Sequence, residues 1–294
     1  MQINKHGSFY LRNGWPTKII DTIPDSPYVF SPANERDAVD TFGVGRVMVK
    51  AMRYWAYTTG ITSETKDQQG VFHALSELGS CIELYDPFCQ DIGTLWLLHR
   101  NLARDEENAT MWEWAFNSFR KSVFTKEQFV DAFYAFYQTN GGTNKKAAVE
   151  KEFDCFKNTY VSDKRFDLER IIDEDTIPFF APLGLIKYLG KGTFEMPNTS
   201  ARDIPENIVL YCILKDNHQH LCEQHQIDID YLLDGQKQIG RYMRLSYSSL
   251  LETLQRLENS KKISLVNNYT SRHIEVDNIE PREVLEDYYI SIAR

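Results

Sequence analysis

The chain has 294 residues, 42% of them hydrophobic and 13% aromatic, which is room for two or three small domains or one large one and argues against disorder. Its formal charge of -9 argues against a general nucleic-acid coat protein, since an acidic body repels a duplex. Any binding to DNA must therefore come from local basic patches.

The opening MQINKHGSFYLRNGW has no apolar run of signal-peptide type, and no stretch reaches the roughly 18 apolar residues of a membrane span. Five cysteines (Cys81, Cys89, Cys155, Cys212 and Cys222) form no CxxC pair. The expectation is a cytoplasmic protein with no membrane partner, its cysteines serving as small core residues.

The first basic feature is LRNGWPTK, residues 11–18. Arg12 offers a guanidinium fork and Lys18 a point charge to phosphate, unless Trp15 only anchors the segment and both cations face solvent. ERDAVDTF (35–42) follows as a short helix, then GVG, then a second helix over 43–60. Arg46, Lys50 and Arg53 share one face of that helix at i, i+4, i+7 spacing, while Met48, Met52, Trp55 and Thr59 form a packing face. Gly60 suits a left-handed cap. Two short strands, around Ile61 and Val71–Ala74, joined by the polar turn TSETKDQQG, complete a helix-turn-helix with a wing. The competing reading is an ordinary helix with a solvated basic face.

The pattern returns twice. An aromatic stretch, 94–119, carries Trp96, Trp112, Trp114, Phe116 and Phe119, expected as core rather than as a base-stacking platform. Helices over 124–140 and 143–161 flank Gly141-Gly142, with Lys145, Lys146 and Lys151 at the start of the second. Glu150, Glu152 and Asp154 offset those lysines, making this unit the weakest DNA reader. Residues 181–197 form two strands around Gly190-Lys191-Gly192. In the third unit, Ser246 caps a helix over 246–262 with Leu250, Leu254 and Leu257 on one face. A hairpin over 263–276 then exposes Asn267, Asn268, Arg272 and His273 near its tip. The fold class is mainly α with small β-hairpins (α+β): three winged-helix-like units joined by helical spacers, divided as 1–90, 91–205 and 206–294.

Two clusters have metal-type chemistry. The run Asp167, Glu169, Asp173, Glu174 and Asp175 has the carboxylates a Mg²⁺ site needs, but it also reads as a solvated acidic connection. His218, Cys222 and His225 fall on one helix face, without the second ligand pair that zinc sites draw on. No nuclease motif and no GxSxG or GxxxxGK[ST] pattern is present, so catalytic residues stay unassigned.

FYLRNGW (9–15), GVGRVMVKAMRYW (43–55), TLWLLHRNLA (94–103), ATMWEWAFNSF (109–119) and EFDCFKNTYV (152–161) resemble a bacterial uncharacterised-domain family encoded beside DNA phosphorothioation genes in anti-phage islands, in particular its SspB-like branch. The resemblance runs from about residue 9 to the last hairpin and departs around 163–182. It implies a DNA-binding, DNA-nicking role that accompanies replacement of a phosphate oxygen by sulfur. It also implies partners: double-stranded or nicked DNA, and a cysteine desulfurase, an ATP-dependent sulfur-transfer enzyme and an ATPase. A nickase would use Mg²⁺ or Mn²⁺, and no other cofactor is implied; the oligomeric state stays open, with a homodimer among the options. The alternatives are a non-catalytic scaffold that brings sulfur-transfer partners to DNA, and a winged-helix transcriptional regulator.

Overall fold

The computed structural model describes residues 3–161, 178–268, 271–276 and 279–293. Within them the chain is mixed: helices carry most of the mass, and three small antiparallel sheets punctuate them. No helix is long and apolar enough to cross a membrane.

The first stretch holds α1 (Trp15–Thr22), α2 (Glu35–Phe42), α3 (Arg46–Thr58), a hairpin of β1 (Thr62–Asp67) and β2 (Gly70–Leu75), and α4 (Glu77–Tyr85). Gly43 closes α2 with φ 64, a conformation glycine adopts without the Cβ penalty of other residues. The chain then turns through extended Gly45 into α3, which is shorter than the expected 43–60. Met52, Trp55 and Thr59 are buried as anticipated, Met48 is half-buried, and Val49 joins the core from beside them. The Trp55 indole donates to the Phe9 carbonyl at 2.9 Å, so burial leaves no orphan donor.

The hairpin corrects one expectation. Thr62–Asp67 is strand rather than turn, paired from Thr62↔Leu75 to Asp67↔Gly70, so only Gln68 and Gln69 make the bend. One face of this strand is in solvent, so it needs no apolar alternation, and its threonines suit an extended backbone. Asp67 accepts from the amides of Gln69 and Gly70 and fixes the turn.

The middle stretch holds α5 (Ile92–Arg104), α6 (Thr110–Asn117), β3 (Val123–Thr125), α7 (Lys126–Thr139), α8 (Lys146–Tyr160), β4 (Lys187–Gly190) and β5 (Thr193–Glu195). The five aromatics singled out between 94 and 119 are all buried. Trp114 meets Phe129 and Phe133 at 5.2 Å, and Phe116 meets Tyr160 at 5.6 Å, distances typical of edge-on and tilted aromatic packing. Helix α7 begins two residues later than expected because Thr125 and Gln128 form a capping box.

The last stretch holds α9 (Glu206–Asp216), α10 (His218–Gln224), β6 (Gln226–Asp228), α11 (Ile229–Asp234), α12 (Ile239–Tyr242), α13 (Tyr247–Asn259), β7 (Ser264–Asn267), β8 (Arg272–Glu275) and α14 (Pro281–Ile292). Ser246 caps α13 by accepting from the Ser249 amide at 3.1 Å. Two three-residue strands went unanticipated. β3 adds to β5, giving the order β3-β5-β4, and β6 adds to β8, giving β6-β8-β7. In both sheets a strand ahead of the helices pairs with the last hairpin strand.

Helix α5 ties the stretches together. His99 bonds the Tyr160 hydroxyl and the Tyr242 carbonyl, both at 2.8 Å. Arg100 and Arg104 converge on the fully buried Asp216 carboxylate, to which Tyr242 donates at 2.7 Å. At the other end of α5, Tyr289 meets the Thr94 hydroxyl at 2.9 Å and Tyr288 donates to Asp91 at 2.6 Å. Near the N-terminus, buried Glu152 of α8 accepts from the Asn4 amide at 2.6 Å and meets His6 at 3.0 Å. Glu152 therefore does not offset the α8 lysines on the surface, contrary to the expectation from sequence.

Candidate nucleic-acid interface

Helix α3 presents its basic face to a surface cleft of about 610 Å³. The cleft is lined by Arg46, Lys50 and Arg53, with Tyr57 at the end of the row, by the apolar or aromatic Val29, Phe30, Pro32 and Tyr54, and by Lys5 from the N-terminal segment. The row forms because α3 buries its other side around Trp55, which leaves i, i+4, i+7 outward.

None of the three cations stands alone. Arg46 meets Glu35 at 2.5 Å, and Lys50 meets the other oxygen of the same carboxylate at 3.6 Å. Glu35 is the first residue of α2, a favourable place for a negative charge. The hydrogen bond from Arg46 holds the Glu35 carboxyl below its ordinary range. Arg53 is forked onto Glu64 of β1, through Nε at 2.8 Å and Nη2 at 2.6 Å. That bond likewise lowers the Glu64 carboxyl, which also lies 3.1 Å from the ring of His73 on β2. Burial pushes the His73 ring down to about 4 although Glu64 opposes the shift. Glu35, Glu64, Lys5 and Tyr57 were not picked out from the sequence. The only signal for Glu64 was its place in a segment read as turn.

The other candidate residues lie apart from this cleft. Arg12 sits half-buried with its guanidinium 5.7 Å from the Tyr10 ring and 5.6 Å from the Trp15 ring. Lys18 donates to the Phe42 carbonyl at 2.9 Å and so caps the end of α2. Lys145 is exposed ahead of α8, and Lys146 pairs with Asp131 of α7, which raises the lysine. Arg272 pairs with Asp230 at 3.1 Å, and a Tyr247 hydrogen bond, with Asp230 behind it, raises its guanidinium. His273 is half-buried against the Ser271 hydroxyl at 2.7 Å, not exposed at the tip.

The metal-type clusters resolve differently. His225 ends α10 in a left-handed conformation, φ 55, so it leaves the helix face of His218 and Cys222. Among the described residues, no three His, Cys, Asp or Glu side chains come together to hold a metal ion. The acidic run Asp167–Asp175 lies outside the described residues. All five cysteines are free thiols, four buried and Cys222 exposed.

These observations define a helical protein with small antiparallel sheets and a cationic, carboxylate-lined cleft. The family model described as "Protein of unknown function (DUF4007)" matches residues 3–289, and the chain belongs to that family. Two solved structures are similar, an SspB crystal structure and a magnesium ion-bound SspB crystal structure. Each superposes with a TM-score of 0.82 at 23% identity, covering 99% of this chain and 88% of the other, which is likeness of fold. Among curated proteins none matches this chain by sequence.

Proposed function

We propose that the chain is an SspB-like, DNA-binding component of a bacterial DNA phosphorothioation system, contacting the phosphate backbone through the basic row of α3. The observation that carries this reading is the likeness to SspB over 99% of the chain. The local geometry agrees with it. α2, a left-handed glycine turn, α3 and the β1-β2 hairpin follow the order of a winged helix-turn-helix, and the two three-stranded sheets read as further wings. In this reading Arg46 and Lys50 supply charge to phosphates, and Arg272 adds charge from the third unit.

Nicking is the finer part of the proposal. One of the SspB structures carries a magnesium ion, and a nickase here would use Mg²⁺ or Mn²⁺, for which the described residues offer no cluster of three ligands. Purified protein is tested on supercoiled plasmid with Mg²⁺, Mn²⁺ or EDTA, beside duplex binding across a salt series. Metal-dependent conversion to open circles is expected of a nickase. Arg46→Ala/Lys50→Ala should weaken duplex binding and flatten its salt dependence, by about 0.9 in log-log slope for each phosphate no longer neutralised. Unchanged binding at low salt refutes the assignment of α3.

A second reading has its own support: Arg46, Lys50, Arg53, Lys146 and Arg272 are already paired with carboxylates, so the surface is less positive than its sequence. A scaffold would use these units to hold sulfur-transfer partners rather than DNA. Capture of the sulfur-transfer partners that survives Arg46→Ala/Lys50→Ala, with no duplex binding by the parent, would favour it.

A further inference from the structure

The two carboxylates over the basic row do different jobs. Glu64 is held twice, forked to Arg53 and close to the buried ring of His73, and both it and Arg53 are mostly covered, with 21% and 32% of their side chains exposed. That pair belongs to the joint between helix and hairpin. Among the described residues, Glu35 pairs with Arg46 and Lys50, whose side chains are 71% and 72% exposed. It reaches Arg46 fully and Lys50 only at 3.6 Å. One carboxylate thus bridges two cations a helical turn apart, in a cleft that Val29, Phe30 and Pro32 also line.

We infer that this is a guarded phosphate site, in which Glu35 occupies the place of a phosphate group between Arg46 and Lys50 and a nucleotide phosphate binds by displacing it. The inference rests on the phosphate-contacting role proposed for α3. Carboxylate and phosphate present the same fork of oxygens to a guanidinium, so one stands in for the other. A phosphate has more oxygens and reaches both cations where the carboxylate serves one well. The exchange is feasible because an exposed ion pair is weakly held. The cleft volume falls within the range of about 300–1,000 Å³ that holds small ligands, and its apolar lining suits the sugar and base attached to the phosphate. The phosphate belongs either to a DNA strand or to a free nucleotide.

The test compares the parent, Glu35→Gln, Glu35→Asp, Glu64→Gln and Arg46→Ala/Lys50→Ala. The probes are a fluorescent duplex oligonucleotide, read by anisotropy, and adenosine monophosphate, read by calorimetry. Glu35→Gln removes the competing charge and should tighten binding about fivefold, the scale of one exposed ion pair. Glu35→Asp, with a shorter arm, should tighten it less; Glu64→Gln should not tighten it. Adding Arg46→Ala/Lys50→Ala to Glu35→Gln should abolish the gain. If adenosine monophosphate shows the pattern and the duplex does not bind, the site stands and the DNA reading falls. If the parent binds duplex but both Glu35 variants bind it equally or more weakly, the guard is refuted while DNA binding stands. If no probe binds the parent or the Glu35 variants, both are refuted.

Discussion

Arg53 and Glu64 face each other as a two-pronged clasp, with nitrogen-to-oxygen distances of 2.8 and 2.6 Å, and this clasp joins α3 to the hairpin beside it. Three cations that look equivalent along the helix are therefore not equivalent. Arg53→Ala would strip the carboxylate of its charged partner and is expected to lower stability by about 1.5–3 kcal/mol, the range for hydrogen bonds to charged groups. Lys50→Ala, at a solvated position, should stay within about 0.5 kcal/mol of the parent. Urea midpoints of the two variants check this; equal losses would show that the clasp does not hold the hairpin.

The His99 ring, fully buried between Tyr160 and Tyr242, is pushed by burial down to about 4. Its ordinary value is near 6.5, so between those limits the unfolded chain takes up a proton that the folded chain refuses. The sign follows: above about pH 6.5 His99 contributes no pH dependence, and stability falls as pH drops from 6.5 towards 4. Its share is about 3 kcal/mol. Denaturation free energies measured from pH 7.5 to 4.5 should slope accordingly, and His99→Gln should reduce that slope, leaving the share of His73, even if it costs stability at pH 7.5.

Asp216 is the carboxylate on which Arg100, Arg104 and the Tyr242 hydroxyl converge. Asp216→Ala leaves two arginines without that counter-charge in a covered site. The expected loss is about 3–5 kcal/mol, much larger than for any exposed pair on α3. Asp216→Asn keeps the shape and should lose less. Chemical denaturation distinguishes the two.

Gly79, inside α4, has no room for a side chain: a Cβ there would lie 2.1 Å from the Ile61 carbonyl oxygen. That carbonyl also accepts from the Ser76 amide at 3.0 Å and cannot move freely. Gly79→Ala is expected to cost about 1–3 kcal/mol through overpacking. At Gly141, where φ is 82 and a Cβ would meet no described atom within 4 Å, alanine faces only backbone strain of about 1–2 kcal/mol. A larger melting-temperature drop for Gly141→Ala than for Gly79→Ala would contradict this account.

Features that advertise themselves through long periodicity were legible. The i, i+4, i+7 row of α3, the Met52 and Trp55 packing side, the buried aromatics of α5 and α6, and the Ser246 cap all stand where the residue pattern put them. What escaped was of two kinds. β3 and β6 are three residues long, too short to set up any alternation. The partners of the cations come from elsewhere in the chain: Glu35 lies eleven residues before Arg46, and Glu64 eleven after Arg53. Spacing along one helix says nothing about a carboxylate delivered by the next element. The inward turn of Glu152 is of the same kind, since only the fold brings His6 to it.

The Asp216 junction carries a warning for anyone who trims this chain. A fragment ending near residue 205 keeps Arg100 and Arg104 but discards α9 and with it their counter-charge. The cut would uncover a fresh greasy surface studded with two guanidinium groups. Such a scar would catch polyanions indiscriminately, so retention of DNA by a shortened fragment would report on the wound rather than on α3.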